Sequence, residues 1–97
     1  MPRSSWWDEH RDQLGAWVSP LEEFAAESDD ETAYLRRAGR YVLWCLDNSL
    51  DPALRDDERV AEYLSIARTI EGGRPFAPRT ADEVRTCISN WHSWLHL

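Results

Sequence analysis

Residues 29–48 read DDETAYLRRAGRYVLWCLDN, and their apolar positions recur at the spacing of an α-helix. At about 100° per residue, these positions form an arc wider than the single stripe of a surface helix. A wide arc is typical of a helix that is packed by neighbours on several sides. We therefore predict that residues 29–48 form the central helix of the protein, with an inward arc of Tyr34, Leu35, Ala38, Tyr41, Val42, Cys45 and Leu46.

Helix start and stop signals divide the rest of the chain. A serine or threonine followed three residues later by an acid is a capping signal, and such pairs begin at Ser5, Ser19, Ser28 and Thr80. Glycines, prolines and Asn48-Ser49 supply the stops. The predicted helices are 5–18, 20–27, 29–48, 57–71 and 81–96, with a loose turn at 52–56.

No strand-like alternation competes with these helices. The sequence predicts an all-α protein, a compact four- to five-helix bundle with one short helix (20–27) and a Gly/Pro loop (72–79) before the C-terminal helix. A chain of 97 residues can bury one core, so we predict a single helical domain over residues 1–97. Predicted inward residues outside the central helix are Leu14, Leu21, Phe24, Ala25, Val60, Tyr63, Leu64, Ile66, Ala67, Ile70, Val84, Ile88 and Leu95.

Six tryptophans in so short a chain indicate either a Trp-dominated core or an aromatic contact surface. Trp6, Trp7 and Trp17 share one face of the first helix, and Trp91 and Trp94 share one face of the last. We expect these two faces to meet in a common core. Cys45 and Cys87 also lie on apolar arcs, so we predict two buried, reduced thiols.

The charge pattern restricts the class of partner. The chain has a net charge of −7, with eleven arginines and no lysine. An acidic chain disfavours nucleic-acid binding through a basic face. No apolar run is long enough to span a membrane and the first residues do not form a signal peptide, so we predict a cytoplasmic protein. The acidic runs 29–31 and 56–58 match helix starts; the alternative is a surface that imitates nucleic acid or meets a basic partner.

One candidate site lies on the charged side of the central helix. Arg36, Arg37 and Arg40 share this side with Trp44. An arginine four residues before a tryptophan can stack on the indole, and Trp and Arg are enriched at interface hot spots. This set is either a local stack on a solvated helix or a surface that binds a partner protein.

An alternative site is an aromatic pocket around His10. Its lining would be Trp6, His10, Trp17, Tyr41 and Trp91, with Trp7, Tyr34 and Trp94 beside them. The competing interpretation is a core histidine that bonds a backbone carbonyl. His92 and His96 have the i, i+4 spacing of metal ligands, but they fall on the predicted polar side of the last helix, where the helix dipole explains them.

The sequence contains no phosphate-binding glycine loop, paired CxxC or nucleophile elbow. We therefore predict no cofactor, no metal and no catalytic residues. The predicted function is a small acidic interaction protein, of the adaptor, inhibitor or immunity type, that binds another protein. The alternatives are a small-molecule binder or small enzyme with the His10 pocket, and a homodimer paired through aromatic faces.

Overall fold

A computed structural model describes residues 5–70 and 72–96, of which 73% are helical. This confirms the predicted all-α class. Within those ranges no strand occurs, and one isolated antiparallel bridge joins Arg68 to Pro75. The helices are α1 (Ser5–Leu14), α2 (Val18–Ala26), α3 (Glu31–Asp47), α4 (Asp57–Ile66) and α5 (Pro78–Leu95), and a 3-10 helix (Gly15–Trp17) joins α1 to α2.

The chain divides into two compact units, the first ending at Pro52 and the second beginning at Ala53. The first unit contains α1, α2 and α3, and the second contains α4 and α5. The single domain, and the common core of the first and last helices, stay predictions.

In the first unit, α3 packs against both α1 and α2. Five of the seven residues of the predicted arc are buried, whereas Tyr34 and Leu46 are half-buried. Ala33 and Gly39 are buried as well, although the predicted arc did not include them. Tyr34 nevertheless contacts the buried Phe24 of α2, with ring centroids 5.5 Å apart. The buried side chains of this unit include Trp7, Leu14, Leu21, Phe24, Ala25, Leu35, Ala38, Tyr41, Val42 and Cys45.

The ends of α3 are fixed by side-chain and backbone caps. Asp30, not the predicted Ser28, caps the start, because its carboxylate accepts from the backbone N–H of Ala33 at 3.2 Å. The Ser28 hydroxyl instead donates to the Ala25 carbonyl. At the other end Ser49 adopts a left-handed φ of 58°. Its N–H and that of Leu50 reach back into the last turn, which is a Schellman ending.

The predicted helix 5–18 is interrupted at Gly15, which adopts a left-handed φ of 56°. The 3-10 turn that follows leads directly into α2 at Val18. Ser19 therefore lies inside α2 rather than capping it, and the N-cap position is Trp17, which makes no side-chain capping bond. Pro20 remains in the first turn, where the missing N–H costs no intrahelical bond.

In the second unit, α4 packs against α5 and ends at Ile66 rather than residue 71. The Arg68 guanidinium donates to the carbonyls of Ser65, Ile66 and Ala67, which closes the helix. Ile66 and Ile70 were expected to be buried, but they are 51% and 44% exposed. The reason is that Ile66 is the last residue of the helix and Ile70 lies in the turn beyond it.

The last helix begins three residues earlier than predicted. Pro78 is its first residue, and Ala77 precedes it without a side-chain cap. The expected cap at Thr80 is therefore wrong: proline at the first helical position supplies a helical φ and needs no N–H partner. The Gly/Pro segment still precedes this helix, as predicted.

Both cysteines are buried and neither forms a disulfide, which confirms the predicted thiols. Among the described residues, no helix combines the length and apolar character needed to cross a bilayer.

Candidate functional site

The first candidate site is the charged side of α3, formed by Arg36, Arg37, Arg40 and Trp44 and called here the α3 face. All four side chains are half-buried. On the helix they lie opposite the fully buried residues Leu35, Ala38, Val42 and Cys45. The structure thus places the four residues together on one side, as the sequence predicted, with their side chains partly accessible.

Trp44 is held by its own helix. Its indole packs on the buried Tyr41 ring, with centroids 6.0 Å apart and planes at 29°. Its carbonyl accepts from the side-chain amide of Asn48 at 2.7 Å. The indole therefore rests on a core residue at one side, and the predicted stacking of Arg40 on Trp44 stays a prediction.

The three guanidiniums and the indole determine which chemical groups the α3 face can bind. Arginine donates planar, paired hydrogen bonds to carboxylates, and its flat surface stacks on aromatic rings. The face holds no group that transfers protons near neutral pH and no nucleophile. Its chemistry is that of binding, with a preference for acidic and aromatic groups.

The second candidate site surrounds His10. Its ring stacks on Trp6 one turn earlier, with centroids 4.6 Å apart and planes at 14°. His10 Nδ1 lies 2.8 Å from the Trp6 carbonyl, and because a carbonyl only accepts, this nitrogen carries the proton. The bond is the one expected of a structural histidine.

The remaining residues of the predicted His10 pocket are distributed unevenly. Trp6, His10 and Trp17 are half-buried, whereas Tyr41 is fully buried. Trp91 is fully buried in the second unit, where its indole stacks on Trp94. The structure therefore brings together Trp6 and His10 as predicted neighbours, and it leaves the wider pocket a prediction.

The two histidines of α5 have different environments. His92 was expected on the polar side of α5 but is only 1% exposed. The reason is that it lies next to the apolar face of α5, one turn after the buried Ile88. His96 is exposed, and its Nε2 donates to the carbonyl of Ala53 at 2.9 Å. In residues 5–70 and 72–96, no three or more His, Cys, Asp or Glu side chains are grouped to hold a metal ion.

Sequence reasoning missed a small cavity in the second unit. It is lined by polar groups from the segment before α4, the start of α4 and one face of α5, over two buried aliphatic residues. The usable signal was the i, i+4, i+7 spacing of Arg85, Ser89 and His92 on α5. The lining residues are Arg55, Asp57, Val60, Arg85, Ile88, Ser89 and His92.

Comparison with protein-family models, with curated proteins and with solved structures finds no match to this chain. The fold and the α3 face define a small all-α protein with an aromatic and arginine-bearing helix side.

Proposed function

We propose that this chain is a small cytoplasmic interaction protein, of the adaptor, inhibitor or immunity type, and that the α3 face contacts its partner protein. The observation that carries this proposal is the position of Trp44. It lies among three arginines on the side of α3 opposite the buried arc, and it is only half-buried. Interface hot spots are enriched in tryptophan and arginine that become fully desolvated in the complex.

Electrostatics favours a partner with mixed charge. The α3 face is basic, whereas the whole chain carries −7. Acidic or aromatic groups on the partner would meet the α3 face, and basic groups would be attracted to the surrounding acidic surface. Asp30 and Asp56 do not require a partner to explain them, because each caps a helix.

The alternative function is small-molecule binding near His10. It is supported by the stack of His10 on Trp6, since an imidazole on an indole forms a flat wall against which a ring can lie. With Nδ1 engaged, Nε2 is the acceptor of the neutral ring, and it has no hydrogen-bond partner among the described residues. Such a ligand would be an aromatic or heteroaromatic hydrogen-bond donor.

The test of the interaction proposal compares Trp44→Ala with Trp17→Ala. Both residues are half-buried tryptophans of the first unit, but only Trp44 belongs to the α3 face. The partner is first captured by crosslinking to the wild-type chain in the source cells, identified by mass and purified. Titration with that partner then gives the affinity of each variant, and melts give its stability.

We expect Trp44→Ala to weaken binding by about 2 kcal/mol, or roughly 30-fold. Its free energy of unfolding should fall by no more than about 1 kcal/mol, as for a surface change. Trp17→Ala should bind as the wild type does. If Trp44→Ala unfolds the protein while its remaining folded fraction binds normally, Trp44 is a core residue and the α3 face is not the contact surface.

A further inference from the structure

The cavity of the second unit has polar groups at its mouth and apolar groups at its base. Arg55, Asp57 and Arg85 are exposed, whereas Val60 and Ile88 are buried. Its volume is about 30 Å³. A space of that size holds roughly one or two water molecules, far below the roughly 300 Å³ or more of cofactor and drug sites. It can therefore admit one or two oxygens of a small group, but not a whole nucleotide.

The hydrogen-bond donors around the cavity are partly organised in advance. The Arg55 guanidinium donates from Nη2 to the Ser89 hydroxyl oxygen at 3.2 Å. This bond holds Arg55 over the cavity and leaves the Ser89 hydroxyl hydrogen able to donate elsewhere. Within the described part of the chain, Arg55 has no carboxylate partner.

The second guanidinium, that of Arg85, forms an ion pair but keeps unused N–H donors. Arg85 donates from Nη1 to the Asp82 carboxylate at 2.6 Å, and both side chains are more than half exposed. An exposed pair of this kind contributes little free energy, so another anion can compete for the guanidinium. Arginine also has five N–H donors, of which this bond uses one.

Among the residues that line the cavity, arginines outnumber carboxylates. Arg55 and Arg85 line it against the single carboxylate of Asp57, while Asp82, which pairs with Arg85, lies outside the lining. His92, almost completely buried, adds an imidazole to the same lining. Guanidiniums, a hydroxyl and an imidazole are the donors that recognise phosphate oxygens in proteins, and paired N–H groups match them geometrically.

We propose that this cavity binds a single phosphate group, held by Arg55, Arg85 and Ser89. One or two phosphate oxygens enter the cavity and the rest of the ligand remains in solvent, so the ligand is either the free ion or a small monoester. Asp57 acts against binding, since its negative charge repels the ligand. The site is separate from the α3 face and uses none of its residues.

The test is a titration of the full chain with inorganic phosphate at constant ionic strength, followed by NMR shifts of Ser89 and His92. We expect saturable shifts at these residues. Arg55→Gln should weaken phosphate binding about tenfold, which is the loss of one charge-assisted bond. Asp57→Asn should strengthen it by a few-fold, because a like charge is removed.

Arg79→Gln is the matched control. Arg79 lies on α5, which also carries Arg85, but it pairs with Glu83, is almost fully exposed and does not line the cavity. We expect Arg79→Gln to bind phosphate as the wild type does. This result would distinguish specific binding in the cavity from nonspecific attraction of phosphate to exposed arginines. All three substitutions are at exposed positions, and melts of each variant establish that it is folded.

Two further ligands identify the chemistry. Tighter binding of glycerol 3-phosphate than of inorganic phosphate would support the monoester, and weaker binding would support the free ion. Acetate that binds as tightly as phosphate would overturn the proposal, as would unsaturable shifts, an equal loss in Arg79→Gln and Arg55→Gln, or weaker binding by Asp57→Asn. None of these variants alters the α3 face, so such a failure would leave the interaction proposal unaffected.

Discussion

Gly39 of α3 lies directly against the Trp7 indole of α1. A Cβ atom placed at Gly39 would be 3.2 Å from Cζ3 of Trp7 and 3.1 Å from Cζ3 of Trp6. Trp7 is fully buried, so its ring has little room to move. The two helices therefore approach closely at a position where α3 has no side chain, and this contact seats the Trp6–His10 pair on α3.

Gly39→Ala should destabilise the protein. Alanine is better than glycine in a helix by about 1 kcal/mol, but crowding two indoles at once costs about 1–3 kcal/mol. We expect a net loss of about 1 kcal/mol in the free energy of unfolding, measured by urea denaturation. Gly72→Ala is the control, because its Cβ would meet only the Arg74 side chain at 3.5 Å. A more stable Gly39→Ala protein would show that the α1–α3 contact is looser than described.

The observed helix caps differ from the predicted ones, and substitution distinguishes the two sets. Asp30→Ala and Asp56→Ala should each cost about 1 kcal/mol, because each carboxylate accepts from a first-turn N–H. Ser19→Ala and Thr80→Ala should change stability by less than about 0.5 kcal/mol, since neither residue caps a helix. Thermal melts of the four variants provide the comparison. A large loss in Thr80→Ala together with no loss in Asp30→Ala would favour the sequence-based caps.

The helix faces that are marked by repeated apolar positions could be predicted from the sequence. The helix boundaries that depend on one or two residues could not. The arc of α3 was correct at five of its seven positions because apolar residues repeated at helical spacing indicate one face of the helix. The start of α5 was wrong because Pro78 follows two glycines and Pro75, which look like one continuous loop. Proline is tolerated at a helix start and disfavoured within a helix, so its residue type alone does not determine which side of it the helix lies on.

The α3 face could be predicted from the sequence, whereas the cavity could not. Arg36, Arg40 and Trp44 lie on one helix, so their common side follows from spacing alone. The cavity requires Arg55, which is 34 residues from Ser89 in the chain, to bond that serine. A periodicity argument within one helix cannot detect such a pairing, and the burial of His92 beside it was missed for the same reason.

Ser49→Gly should stabilise the protein. Ser49 occupies a left-handed φ of 58°, and its N–H bonds the carbonyl of Leu46 at the end of α3. A residue with a Cβ pays roughly 1 kcal/mol for this conformation, whereas glycine does not. We expect a gain of about 0.5–1 kcal/mol in the free energy of unfolding, with no gain for Ser49→Ala, which keeps the Cβ. A less stable glycine variant would indicate that the Ser49 hydroxyl contributes more than the backbone strain costs.

Trp91 was predicted both as a core residue and as part of the alternative ligand pocket. Its side chain is fully buried, and its indole stacks on the half-buried Trp94 with centroids 5.9 Å apart. Trp91→Ala should cost about 3–5 kcal/mol, because a buried aromatic ring is removed. Trp94→Ala should cost about 1–2 kcal/mol, since it loses the stacking contact and a smaller buried area. Calorimetric melts of the two variants measure this difference.

A melt of Trp91→Ala that matches the wild type would remove Trp91 from the core. Trp91→Phe helps to distinguish a core role from a pocket role, because it replaces the indole with the smaller phenyl ring and so keeps an aromatic side chain. A core role predicts an intermediate loss of stability for this variant. Because Trp91 has no exposed area, it can contact a ligand only if the surrounding side chains move apart. A ligand that raises the melting temperature of the wild type but not of Trp91→Phe would instead place Trp91 in a binding pocket.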